Sequence, residues 1–203
     1  MAVTAAEVKA LRERTGAAMM DCKAALEEAG GDPEKATEIL RVKGQASAAK
    51  RGGRATSEGV VASYIHANGK VGVLVEVQCE TDFVARNEDF KEFAREVAVH
   101  IAGVPSVAVV SVDDIDEQAR EAERTVFQQK AEAEGKPENV VERIVEGQLA
   151  KWSSEVALLE QEHIRSDRHE GKTIEQLRAD MAAKTGENIR IARFAKFRVG
   201  ESD

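Results

Sequence analysis

The densest set of side chains able to act on another molecule lies in Cys79-Glu80-Thr81-Asp82-Phe83-Val84-Ala85-Arg86-Asn87. A hydroxyl, a carboxylate and an aromatic ring stand side by side there. Ahead of them, Val71, Val73, Val75, Val77 and Cys79 alternate as the buried face of a strand does. Behind them, Asn87 reads as the N-cap of a helix carrying Phe90, Phe93, Ala94, Val97 and Ile101 on one stripe. A loop held between two packed elements can present a ring and a carboxylate rigidly to a partner. Taken singly, Phe83 fits a core position closing helix onto sheet better than a contact position, and Asp82 is equally a helix cap.

A second string, Thr15-Gly16-Ala17-Ala18-Met19-Met20-Asp21-Cys22-Lys23-Ala24-Ala25-Leu26, sets two methionines at adjacent positions. Neighbours on a helix diverge by roughly 100°, so one of Met19 and Met20 is expected to face solvent. Methionine adapts well to contact surfaces, although in a small bundle it is usually core. Arg12 and Lys23, judged by residue type alone, are solvated charges. Lys50, Arg51 and Arg54 form a basic cluster that reads as a solubilising linker more readily than as an RNA contact.

The remaining chemistry is negative. There is no serine or cysteine triad spacing, no dinucleotide fingerprint, and Gly52-Gly53 lacks the spacing and ending of a phosphate-binding P-loop. No Cys/His spacing suggests zinc, and His163 with His169 has no neighbouring ligand set in the sequence. Cys22 and Cys79 read as two separate, reduced core thiols. The expectation is a protein without catalytic residues, metal or cofactor.

Together the two strings closely resemble the translation elongation factor Ts family. Gly30-Gly31-Asp32, Gly135-Lys136-Pro137, Val145-Glu146-Gly147 and Gly186-Glu187-Asn188 look like further family landmarks in family order. The resemblance implies a cytoplasmic guanine-nucleotide exchange factor for elongation factor Tu that does not itself bind nucleotide. It implies that Thr81, Asp82, Phe83 and Val84 intrude beside the partner's magnesium and phosphate site. Arg12, Met19, Met20 and Lys23 would face the same partner. Longer relatives carry two core halves and a projecting helical hairpin. This chain has sequence for one core unit, so the resemblance implies a homodimer, with the apolar face of the final strand, near Trp152, as its expected interface. Two other readings are a helix- or peptide-binding adaptor without exchange activity, and an RNA-associated protein.

The elements that must position these residues form two regions. Thr4-Ala5-Ala6-Glu7 is a capping box. A helix from about Asp21 to Ala29 and another from Asp32-Pro33 to Gly44 complete a three-helix, ubiquitin-associated-like bundle over residues 1–44. Residues 45–57 read as a helical turn fraying into a flexible basic linker. Residues 58–203 read as a core and dimerisation domain. It opens with a hairpin about Asn68-Gly69, a two-residue turn signal, and ends in a strand from Ile189 to Val199. Between them come a charged helix from Asp116 to Glu134, a helix from Pro137, a polar loop over 165–172 and a helix opened by the capping box Thr173-Ile174-Glu175-Gln176. The fold class expected is α+β, an antiparallel sheet covered by helices.

With 203 residues and 42% hydrophobic content the chain can bury a real core. A net charge of −8 argues against nucleic acid as main partner, because that binding rests on neutralising phosphates. No apolar run approaches membrane-spanning length. Only 4% of residues are aromatic, so an exposed phenylalanine would stand out.

Overall fold

Thr4 opens the first helix by the capping box its sequence encodes. In the computed structural model, which describes residues 3–201, the Thr4 side chain accepts from the Glu7 N–H, and the Glu7 carboxylate accepts from the Thr4 N–H at 2.7 Å. This starts α1 (Ala5–Thr15), followed by α2 (Met19–Glu28) and α3 (Pro33–Arg51). Asp32 caps α3 through the N–H groups of Glu34 and Lys35, with Pro33 at the first helical position. Val8, Leu11, Cys22, Ala25, Leu26 and Ala36 form the shared core. The small Cys and Ala side chains let the three helices approach closely.

One boundary differs from expectation. α3 does not stop at Gly44 but continues to Arg51, so the first half of the segment read as a flexible linker is helical. Ala48 is buried, a Cβ on Gly44 would stand 3.4 Å from that of Ala183, and the Arg51 guanidinium donates to the Ala182 carbonyl at 3.4 Å. Close packing of glycine and alanine leaves no large-residue stripe, so apolar periodicity does not register it.

Among the described residues the sheet has three antiparallel strands in the order β1 (Glu58–Ile65), β2 (Val71–Cys79), β3 (Arg190–Arg198). β2, in the middle, buries Val71, Val73, Val75, Val77 and Cys79, as the alternation requires. The hairpin is wider than the two-residue turn read at Asn68-Gly69. His66 N–H bonds Val71 O, and Gly69 N–H bonds His66 O, which leaves Ala67 to Lys70 as the loop. The Asn68 side chain takes the Lys70 N–H at 3.0 Å and keeps that group out of the ladder.

After β2 come the single turn α4 (Asp82–Ala85) and α5 (Glu88–Gly103), whose Phe90, Phe93, Ala94, Val97 and Ile101 are all buried. Asn87 caps α5 through the Asp89 N–H at 2.8 Å. α6 (Glu117–Ala133) and α7 (Glu138–Val156) form a helical hairpin, turned at Gly135-Lys136-Pro137 and tied by Arg124, which reaches Glu146 at 2.7 Å. The segment read as a polar loop over 165–172 contains one helical turn, α8 (Ser166–His169), and α9 (Ile174–Thr185) leads to β3. None of the described helices is long and apolar enough to cross a membrane.

By packing, the chain divides into two compact units that cut across these elements. The first takes in the chain up to Val61, Glu76–Ala94 and Gln176–Ile191. It holds the bundle, the Cys79–Asn87 segment and α9 from Gln176 onward. The second takes in Ala62–Val75, Arg95–Glu175 and the chain from Ala192 onward, with the helical hairpin and the β1–β2 loop.

Candidate functional site

Thr81 sits in extended conformation at the end of β2, and its hydroxyl accepts from the Val84 N–H, which starts α4. Thr81, not Asp82, is therefore the cap. Asp82 is the first helical residue, half-buried and paired with Arg86 at 3.1 Å. A four-residue helix brings successive side chains round its axis within one turn, and its inner side is taken by Ala85, which is buried. Val84 is half-buried. Phe83 points outward and is 83% exposed, the most exposed of the large hydrophobic side chains described. The alternative of Phe83 as core does not hold.

The turn is held from beneath by residues far along the chain. Gly186, at φ +76°, ends α9 in the left-handed region that a side chain would disfavour. Glu187 then turns its carboxylate onto the end of β2. Its Oε2 accepts from the N–H groups of Glu80 (2.9 Å) and Thr81 (3.1 Å), and its Oε1 accepts from the Thr81 hydroxyl (2.6 Å). The next residue, buried Asn188, donates its N–H to Glu80 Oε1 at 2.6 Å and its side-chain amide to the carbonyls of Gly52 and Arg54. The Asn188 N–H, seconded by the Arg54 guanidinium, holds the Glu80 carboxyl below its usual range. Burial, reinforced by the Glu187 charge, pushes the Cys79 thiol up to about 11. It stays protonated and donates to the Thr81 carbonyl at 3.2 Å. Glu187 and Asn188 were visible in the sequence only as a glycine-led landmark. Their bond partners lie 106 residues away or more, beyond any local pattern.

The second group, Arg12, Met19, Met20 and Lys23, lies on α1 and α2 within the same compact unit. All four are exposed. Both methionines face solvent, Met19 at 49% and Met20 at 71%, where one was expected. They occupy the first turn of α2, ahead of the buried stripe of Cys22, Ala25 and Leu26, so neither is drawn into the bundle core. Lys23 pairs loosely with Glu27 along the helix at 3.8 Å. The basic cluster is less free than a linker would leave it: Arg51 bonds Ala182 O and Arg54 bonds Glu80.

In the second unit the fold gathers what the sequence scatters. His163 and His169 do have a neighbouring carboxylate, that of Glu96 on α5, and the three could hold a metal ion by distance. Their protons argue otherwise. His163 Nδ1 accepts from the Arg165 N–H, so its proton sits on Nε2, donated to the Glu96 carbonyl at 3.0 Å. The Glu96 Oε1 atom is taken by the Arg165 and Arg168 guanidinium groups at 2.8 and 2.9 Å, and Oε2 faces His169 at 3.2 Å. This is a network of ion pairs and hydrogen bonds about Glu96, in which the His163 lone pair is already used.

Burial pushes His163 down to about 4, and the neighbouring imidazoles of His169 and His100 push the same way. A histidine with a lowered folded pKa stabilises the fold fully above its unfolded value near 6.5. That contribution drains away as the pH falls toward 4, because the unfolded chain binds the proton first. Burial lowers His100 as well, so it acts in the same direction. Between pH 7.5 and 5 the protein should lose roughly 2 kcal/mol on account of His163. Urea unfolding at the two pH values measures this, and His163→Gln should flatten the slope. Equal stability at both pH values would contradict the buried neutral imidazole.

The comparisons with known proteins follow the same lines. The family model described as Elongation factor TS matches residues 34–170. The chain is 55% identical over 203 residues to elongation factor Ts of Nitratidesulfovibrio vulgaris, covering the whole of both chains. It is 54% identical over 199 residues to the protein of that name from Oleidesulfovibrio alaskensis, covering 98% of each. It is 49% identical over 201 residues to that from Geotalea uraniireducens, covering 99% of this chain and 91% of the relative. An exposed aromatic turn clamped from below and a solvent-facing methionine pair thus lie within a chain that aligns end to end with such relatives, and the chain belongs to the elongation factor Ts family of translation elongation factors.

Proposed function

We propose that this protein binds elongation factor Tu in the cytoplasm and promotes release of its guanine nucleotide. The observation that carries the reading is Phe83, a ring held in water at the tip of a turn fixed by Glu187 and Thr81. An exchange factor needs no acid, base or nucleophile. It must bind the nucleotide-free partner more tightly than the nucleotide-bound one, and linkage then weakens nucleotide binding by the same factor. Phe83 entering an apolar crevice of the partner gains about 2 kcal/mol or more. Asp82 brings a negative charge toward the magnesium and phosphate groups. Thr81 and Val84 fix the turn, and Arg12, Met19, Met20 and Lys23 supply a second contact that holds the factor in place. The deciding experiment is release of a fluorescent guanine nucleotide from elongation factor Tu with and without the protein. Acceleration supports exchange. Binding without acceleration leaves an adaptor.

The protein is further proposed to act as a homodimer. Ile65, Leu74, Phe197 and Val199 leave an exposed apolar surface in the second unit, with Phe197 at 66% and Val199 at 73%. The expected interface on β3 is narrower than the alternation suggested, because Ile191 is buried and the exposed apolar side chains of that face begin only at Ala195. An exposed apolar strand face is otherwise an association liability. Light scattering of the wild type should give twice the chain mass. Phe197→Lys should give a folded monomer, since the side chain it replaces contributes little to the core. A wild-type monomer at micromolar concentration would end the dimer reading.

A further inference from the structure

We propose that Glu187 is a positioning residue for the Asp82–Phe83 turn, setting how fast nucleotide is driven off the partner and not how tightly the partner is held. The inference rests on the exchange reading above. Phe83 sits on a helix of only four residues, too short to hold its own direction against solvent. Its orientation is therefore inherited from Thr81, and Thr81 is fixed by Glu187. One carboxylate accepts from both N–H groups at the end of β2 and from the hydroxyl that caps α4. With the hydroxyl proton given to Glu187, the Thr81 oxygen is left to accept from Val84 and complete the turn.

The carboxylate is supported in turn. Glu187 follows the left-handed Gly186, and its neighbour Asn188 is buried and bonded to Glu80, Gly52 and Arg54. The clamp belongs to the end of α9, which is itself packed: Ala179 and Ala182 are buried, and Lys184 pairs with Asp89. Among the described residues Glu187 bonds at the end of β2 and to Thr185, and none of the bundle residues Arg12, Met19, Met20 or Lys23 is a partner, so partner affinity and turn orientation are separable.

Glu187→Gln tests this with little change in size. One neutral amide oxygen remains for the two N–H groups in place of a charged one, and the amide NH₂ can only donate toward the Thr81 hydroxyl, which loses its acceptor, so the bonds at the end of β2 weaken. In the isolated protein, the Glu80 and Thr81 amides should exchange with solvent about tenfold faster than in the wild type. Unchanged protection would overturn the clamp. In the release assay with elongation factor Tu, the maximal rate at saturating factor should fall about tenfold, with the half-saturating concentration nearly unchanged. A rise in half-saturating concentration alone would assign Glu187 to affinity and overturn the proposal. On a Phe83→Ala background Glu187→Gln should cost much less than tenfold, because the ring it positions is absent and only Asp82 is left to aim. Independent, multiplying losses would overturn the positioning role. A wild type that fails to accelerate release would overturn the exchange reading itself. An active wild type with an equally active Glu187→Gln overturns the positioning role alone.

Discussion

Phe83→Ala is expected to slow stimulated nucleotide release by about 30-fold, while the folded protein melts within about 2 °C of the wild type. The two halves of that expectation have separate causes. The ring is 83% exposed, so its removal takes almost nothing from the core, and exposed substitutions of this kind stay within about 0.5 kcal/mol. For a chain of this size that is about 2 °C or less. In the complex the same ring would be buried, and truncating an aromatic anchor costs about 2 kcal/mol or more, which is about 30-fold. The measurement pairs a stopped-flow release assay on elongation factor Tu with a circular dichroism melt. Release at the wild-type rate would remove Phe83 from the mechanism. A maximal rate that holds while the half-saturating concentration rises would make it a plain binding contact.

Gly59→Ala is expected to be the most damaging single methyl group that can be added to the sheet. Gly59 adopts φ +155° at the start of β1, and a Cβ there would stand 2.2 Å from the Val77 carbonyl oxygen and 2.8 Å from the Gln78 Cα. Both are backbone atoms of the central strand, so no flexible side chain can swing aside. Overpacking costs about 1–3 kcal/mol and sometimes more, and holding a side chain at a backbone conformation that only glycine populates adds about 1–3 kcal/mol. A loss of roughly 3 kcal/mol or more lowers the melting temperature by about 10 °C. Gly53→Ala is the control: nothing lies within 4 Å of its Cβ position, and it should melt with the wild type. If Gly59→Ala does likewise, β1 does not pair with β2 in this register.

Much of the fold was legible because its determinants are local. Thr4 with Glu7 satisfies orphan N–H groups within one turn, as Asp32 does for Glu34 and Lys35 while Pro33 has none to satisfy, so three or four adjacent residues specify each helix start. The alternation from Val71 to Cys79 names its buried face by side-chain parity alone. The strings about Thr81–Val84 and Met19–Met20 marked where contacts would fall. The end of α3 was not legible, since glycine and alanine pack against α9 without leaving a stripe of large residues.

What the tertiary structure decided is which way those residues face and what holds them. Nothing near Phe83 in the chain tells a core ring from an exposed one, because the inner side of its turn is filled by Ala85 and its direction is set by Thr81. Nothing near Glu187 shows that its carboxylate will meet two N–H groups and a hydroxyl 106 or 107 residues away. The same holds for Glu96, which meets His163, His169, Arg165 and Arg168 across a separation of 67 residues or more. Capping and alternation are satisfied by neighbours and so are written in short strings. A carboxylate's choice of donors depends on which elements packing brings within 3 Å, and that is determined only when the chain has folded.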